Sequence, residues 1–520
     1  MIKWGPRAVA VAAVLFAFAY FIVRAHYYSS WMDDDAFISY RYARNLARGA
    51  GLVYNVGERV EGYSNFLWTL LLAGAHRLGA PLPEIARALG VAFAVATGVL
   101  LLAFPVLPPG NPGAKALLVI LPTVALFLTD SWAAWAVGGL ENPLGAFLVA
   151  STFLLYFRSL SARNPLPAAA TAGVLATLAA LTHPSYAVFG LLLGAHSIAN
   201  AVRSRAWHRP IALAVPALIV GAPYIAWKIG YYGHVLPNTF RDKVGLTPAT
   251  LVRGLRYLGE VGSGLPIIGI VAIAAAVWLL ARRDGDHRPW LLLGGLGVYA
   301  AYAIGIGGEG FPAFRLFVVV LPLACLLMQY AVAAVSNMGR ISTAVTLGVA
   351  LSTALGLGAV NRASPRVRVI DAAVHADALR CFRAVGLELK RRLAPDELVA
   401  FSGAGVIAFY SELPFLDTLG LTNEHIASRS MSTMGEGGAG HEKGDGRYVF
   451  SRRPHVIILS GDPVSTFTPV LPGDRELLSI PEFPEVYDPL VMEVRFASRR
   501  SHEVTIVSVP IFVRKDLIAR

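Results

Sequence analysis

A chain of 520 residues that is 55% hydrophobic and only 15% charged, with a mean hydropathy of +0.57, is not a water-soluble globule. It has the composition of a polytopic membrane protein with an appended soluble part. The formal charge of +12 lies wholly in residues 1–360, which hold 25 Lys and Arg against 13 Asp and Glu, whereas residues 361–520 hold 20 of each. No Lys/Arg run interleaved with aromatics accompanies this excess, so it reads as loop charge facing anionic membrane lipids and not as a nucleic-acid surface. Cys325 and Cys381 offer neither a disulfide framework nor a cysteine metal set.

In chain order, Lys3 and Arg7 precede the apolar run from Ala8 to Val23, which lacks an Ala-x-Ala cleavage signature and reads as a retained anchor. Apolar runs of near-spanning length follow at 85–107, 114–129, 140–159, 166–181, 184–203, 210–230, 262–281, 289–306, 315–336 and 340–360, which makes eleven crossings. Arg158 and Arg163, then Arg203, Arg205 and Arg209, then Arg282, Arg283 and Arg288, and finally Arg340 mark the cytoplasmic loops. With the N-terminus inside, the long loop after the first helix, the segments 130–140, 182–183, 231–261 and 307–314, and the last 160 residues then lie outside. Phe66 to Leu78, about 13 residues, falls short of the roughly 20 a span needs. It reads as a helix in the outer interface, with Trp68, His76 and Arg77 toward lipid headgroups.

Beyond residue 361 the pattern predicts an α/β mixture: a helix near 371–394, a strand from Leu398, a short helix from Ala404, an exposed Gly-rich loop over 431–446, and strands near Val456, Val491 and Glu503. The predicted architecture is a polytopic α-helical membrane part over 1–360, with a first outer loop over 25–84, and a C-terminal α/β soluble domain over 361–520.

The first outer loop is too long and too patterned to be a plain connector. It opens on Asp33, Asp34 and Asp35, after which Asp34, Ile38, Arg41 and Asn45 share one helical face and Phe37, Tyr40 and Ala43 another. Asp33 or Asp34 suits a helix N-cap. Three adjacent carboxylates also repel, which lifts the pKa of one and suits a general base. Turn glycines at Gly51, Gly57 and Gly62 then present Glu58, Arg59, Glu61 and Tyr63, a polar density suited to a sugar.

The string Asp34-Asp35-AFISYRYARNL, followed by G-x-GLVYN-x-GERVEGYSNFLW, resembles the first periplasmic loop of bacterial multi-spanning GT-C glycosyltransferases. That group is similar to the terminal arabinofuranosyltransferases of mycobacterial cell walls and, more distantly, to protein O-mannosyltransferases and lipid A-decorating enzymes. Shorter matches fall at Gly139-LEN, Tyr231-YGHVLPNTFRD-Lys243, Gly307-GEGFPAF-Arg315, Asp417-TLGLTNEHIA and Gly440-HEK. The resemblance implies a GT-C fold in the bacterial inner membrane, a polyprenyl-phosphate sugar as donor, a periplasmic glycan or glycolipid as acceptor, and a first-loop carboxylate as the catalytic group. By motif that carboxylate is Asp34, with Asp35 beside it. Lys243, whose family counterpart is also Lys, together with Arg41 and Arg315, would meet the departing phosphate. Asp33, Glu58, Glu61, Tyr63, Glu141, His183, Asn238 and Glu309 would bind the sugars, although the family often has Asp in place of Glu309 and Arg-Pro in place of His183-Pro184.

No G-x-x-x-x-G-K-[ST] loop, G-x-S-x-G elbow or H-E-x-x-H pair is present. No cofactor is called for, and a divalent ion on Asp33, Asp34 and Asp35 is the open alternative. The competing function is a lipid or solute transporter with a sensing domain, which requires ionisable groups near the bilayer midplane. Here such groups cluster at span ends, with Lys228 the exception.

Overall fold

The computed structural model describes residues 6–105, 112–243, 245, 247–281, 286–337, 343–431, 434–459 and 467–518. Each apolar segment lies on a helix as far as the described residues reach. Among these residues five helices are long and apolar enough to cross a membrane, and eight if each of three bent pairs counts as one span. The bends are 61° between Phe127 and Asp130, 90° between Gly264 and Pro266, and 72° between Val318 and Leu321. Leu166–Thr182 is apolar but shorter. By length and composition these helices make the chain a polytopic helical membrane protein.

The first helix, α1, runs over Pro6–Tyr28, with no charged residue between Arg7 and Arg24. The second, α2, spans Asp34–Ala47 and starts where Asp33, in extended backbone, accepts the Asp35 amide at 3.0 Å. The two faces read from the sequence both turn out to be buried, from Ala36 to Asn45. Both faces meet the C-terminal part, and the Phe37/Tyr40 face also meets the membrane helices, so α2 is a wedge between the two. Phe37 and Tyr40 bring their rings 5.6 and 6.2 Å from that of Phe409, while the Tyr40 hydroxyl donates to Gly139 O at 3.1 Å.

The short apolar helix, α3, forms over Phe66–Arg77. Trp68 departs from its expected headgroup position: it is fully buried, and its indole donates to Gly139 O at 3.2 Å. Gly139 thus accepts from two side chains in a left-handed conformation (φ 91°) that leaves a Cβ no room beside the Tyr40 hydroxyl.

The C-terminal part builds a mixed five-stranded sheet from β1 (Val399–Phe401), β2 (Phe415–Asp417), β3 (Val456–Ile457), β4 (Tyr487–Ala497) and β5 (Val504–Arg514), in the order β2-β1-β3-β5-β4. β1 pairs parallel with β2 and β3; β5 pairs antiparallel with β3 and β4. The predicted helix is present over Ala372–Arg392, and β2 is a strand the sequence reading missed. The expected exposed loop over 431–446 is instead tied down where it is described. Glu442 is buried and accepts from Arg253 at 2.8 Å and from the amides of Gly435 and Gly437 at 2.6 and 2.9 Å.

Candidate active site

A cavity of about 330 Å³ opens where α2, the loop before α3, several membrane-helix ends and two loops of the C-terminal part converge. Of the expected site residues it collects Asp35, Tyr63, Glu141, His183, Glu309 and Arg315. Leu421 and Gly440 complete it from the C-terminal side.

The three aspartates diverge. Asp33 is spent on capping α2, and burial, reinforced by the Asp35 charge, holds its carboxyl well above the usual range. Asp34 turns away from the cavity and accepts the amides of Gly405 and Val406 at 3.0 and 2.8 Å, at the start of the Val406–Ser411 helix. Burial lifts it to about 6 against the pull of those amides. Only Asp35 reaches the cavity wall. Of the two carboxylates the motif offers, Asp35 thus faces the cavity, whereas Asp34 is closed in by two backbone amides of the C-terminal part. Among the described residues no group of three His, Cys, Asp or Glu side chains is placed to hold a metal.

Arg41 is engaged away from the cavity. Its buried guanidinium donates to the carbonyls of Tyr54, Ala408 and Leu413 at 2.8, 2.5 and 2.7 Å and to Asn55 Oδ1 at 2.9 Å. These partners lie outside the cavity, so Arg41 is not available to a phosphate there. Arg44 adds a bond to Phe409 O at 2.8 Å. The Val406–Ser411 helix is thus held by a carboxylate at its amide end and by two guanidiniums on its carbonyls, the arrangement its dipole favours.

Arg315 does line the cavity. It lies 2.9 Å from Glu309, stacks 3.6 Å from the Phe311 ring centre, and feels the charges of Glu141, Asp35 and Asp33. Glu309 also accepts the Leu316 amide at 2.7 Å. Glu141 accepts from Asn65 Nδ2 at 2.8 Å, and Asn65 Oδ1 takes the hydroxyls of Ser39 and Thr69, each at 3.0 Å. Asn65 escaped the sequence reading because an Asn just before an apolar helix looks like a cap. It makes no such bond and orients Glu141 instead. His183 Nδ1 sits 2.7 Å from Ser185 Oγ, and the Tyr63 hydroxyl 3.3 Å from that of Tyr232.

The remaining expected sugar ligands lie elsewhere. Glu61 is buried against Lys228 at 2.9 Å, the partner that explains a lysine inside an apolar helix. Asn238 spends its amide on Gly420, Leu421 and Asn423 carbonyls at 2.6, 3.1 and 3.2 Å, and so shapes the loop above the cavity. Glu58 lines a separate polar cleft of about 160 Å³ with Asn55 and Tyr448. The Lys243 side chain lies outside the described residues.

Burial lifts Glu61 to about 7 even beside Lys228. Asp34 and Glu61 therefore bind protons more tightly folded than unfolded, so the stability they contribute is complete below about pH 4 and is lost as pH climbs through about 6 and 7. The unfolding midpoint in detergent is expected to fall between pH 5 and pH 8, and Glu61→Gln to flatten the upper part of that slope. A midpoint rising over the same window in the wild-type chain would contradict this.

Residues 370–506 match a family described as a domain of unknown function, DUF8728. The chain is 29% identical over 278 residues to the terminal beta-(1->2)-arabinofuranosyltransferase of Mycobacterium tuberculosis, which covers 50% of this chain and 43% of that one. The protein of the same name from Corynebacterium glutamicum is 27% identical over 372 residues, covering 64% and 51%. The chain thus spans about half the length of these curated relatives. Among solved structures it is similar to ArnT from Cupriavidus metallidurans, both bound to undecaprenyl phosphate (TM-score 0.52, 14% identity, 79% of this chain and 86% of that one) and in the apo state (0.51, 13%, 78% and 86%). At such identity the structural likeness speaks for the fold alone. Together these matches bear out the resemblance to GT-C proteins of the arabinofuranosyltransferase-like kind.

Proposed function

We propose that this chain, a GT-C-fold protein resembling the terminal arabinofuranosyltransferases, transfers a sugar from a polyprenyl-phosphate donor to a periplasmic acceptor glycan or glycolipid, with Asp35 as the reacting carboxylate. The observation that carries the reading is that Asp35, Glu141, Glu309 and Arg315 line one cavity together. A carboxylate and a cation facing one space meet the two demands of the reaction. As the acceptor oxygen bonds to the anomeric carbon, its proton passes to Asp35. The bond from that carbon to the phosphate oxygen breaks, and the departing polyprenyl phosphate gains negative charge beside Arg315. In a retaining variant the carboxylate attacks the anomeric carbon first. Glu141, fixed by Asn65, and Glu309, fixed by Arg315, are placed to accept sugar hydroxyls.

The charge asymmetry supports eleven crossings over 1–360 in a bacterial inner membrane, with the N-terminus cytoplasmic and residues 361–520 periplasmic. Arabinofuranose is the donor sugar to test first, since both curated relatives carry that name. The test incubates the purified chain in detergent with polyprenyl-phosphate arabinofuranose and a periplasmic glycan extract, and reads the product by mass. One added pentose that depends on the lipid-linked donor supports the reading; transfer from a nucleotide sugar alone sinks it. Arg315→Lys keeps the charge but loses the planar fork on Glu309. It is expected to lower kcat by about 10-fold to 100-fold, measured with saturating donor.

A further inference from the structure

A second cavity, of about 640 Å³, lies between α1 and the Thr343–Ala363 helix and shares no lining residue with the first. Phe16 and Leu355 give it an apolar stretch, and Arg24, Arg362 and Arg368 a basic one. Arg24 follows Phe16 by about 12 Å of helix rise and Arg362 follows Leu355 by about 10 Å. Arg362 acts electrostatically on Tyr20, one turn before Arg24, so the basic ends of both helices coincide.

The three arginines are not equivalent. Arg24 is already balanced: its guanidinium lies 2.6 Å from the buried Asp130 carboxylate, which also takes the hydroxyls of Tyr20 and Tyr28. Arg362 and Arg368 are exposed and make no hydrogen bond or ion pair among the described residues. Among the described residues no acid lines the cavity to offset them. The adjoining surface of α1 exposes Val11, Leu15, Phe16, Ile22 and Val23, and Leu355 is exposed beside it. With both helices crossing a bilayer, the unpaired charge falls at headgroup depth and the apolar stretch at acyl-chain depth.

We propose that this groove holds an anionic glycerophospholipid, its phosphate on Arg362 and Arg368 and its acyl chains along Phe16 and Leu355. The apolar stretch favours a lipid over free phosphate. The absence of any residue shared with the Asp35 cavity favours a resident bilayer lipid over the sugar carrier. The Arg24–Asp130 pair with its two tyrosines supplies a rigid, electrically neutral wall.

The inference rests on the membrane reading of these helices but not on transfer, because binding is read without turnover. The full chain, delipidated in detergent, is titrated with phosphatidylglycerol, phosphatidylcholine and polyprenyl phosphate, and bound lipid is counted by native mass spectrometry. Arg362→Ala/Arg368→Ala is expected to weaken phosphatidylglycerol binding by about tenfold or more, at about 1 kcal/mol per basic residue near an anionic headgroup. Phosphatidylcholine should not displace it, and Arg77→Ala, an exposed arginine outside the groove, should bind as the wild type does. Should the alanine pair unfold, Arg362→Gln/Arg368→Gln gives the same reading. Unchanged affinity in the double variant, an equal loss in Arg77→Ala, or displacement by equimolar polyprenyl phosphate each overturns the proposal.

Discussion

Replacing Asp35 by asparagine is expected to slow transfer by about 10²–10⁴-fold, the usual contribution of a positioned general base, with little change in the unfolding midpoint. Asparagine fills the same volume and keeps an acceptor oxygen, but takes no proton. Asp34→Asn should behave in the opposite sense. Its partners are two backbone amides of the C-terminal part, so one of the two bonds is lost and the midpoint falls, while kcat drops by less than about tenfold. The pair of variants separates chemistry from docking at adjacent positions. Measuring kcat on the lipid-linked donor beside thermal unfolding decides it: a deeper catalytic loss in Asp34→Asn than in Asp35→Asn would return the reacting carboxylate to Asp34 and displace the cavity assigned here.

That one-position ambiguity illustrates what the sequence carried and what it withheld. Hydropathy and Arg placement made the helical membrane part legible, because burial in lipid is written in composition. The five-stranded sheet was half legible. β4 and β5 are long and alternate, but β2 is three residues ending on Asp417, a carboxylate that accepts the amides of Leu419, Gly420 and Thr422 and reads as a turn from sequence alone. The first loop announced a site through its density of polar residues, yet which of them face the cavity depends on partners almost 370 positions away. Asp34 meets Gly405 and Arg41 meets Ala408; outside that loop, Asn238 meets Gly420, 182 positions away. Charged residues that fold a loop against a distant domain and charged residues that do chemistry look the same in a string. Glu61 was read as a sugar ligand for this reason, and it lies 2.9 Å from Lys228.

Arg41→Ala is expected to destabilise the chain by roughly 3–5 kcal/mol, because it removes a buried guanidinium and strands the carbonyls it serves on Tyr54, Ala408 and Leu413. Two of those carbonyls belong to the C-terminal part, so the loss falls on the seam between α2 and the Val406–Ser411 helix. Arg41→Lys should rescue little of it. One ammonium cannot reach acceptors spread around a planar fork, and the Tyr54 ring, 4.4 Å from the guanidinium carbon, loses its stacking partner. Undocking also reaches the reaction centre, since Asp35 stands on the same helix one residue from Asp34. Limited proteolysis is therefore expected to cut near residue 400 sooner in Arg41→Ala than in wild type, with activity falling in step, whereas Asp35→Asn should resist the protease as wild type does. An Arg41→Ala chain that keeps wild-type protease resistance but fails to bind the lipid-linked donor would place Arg41 back among the phosphate ligands.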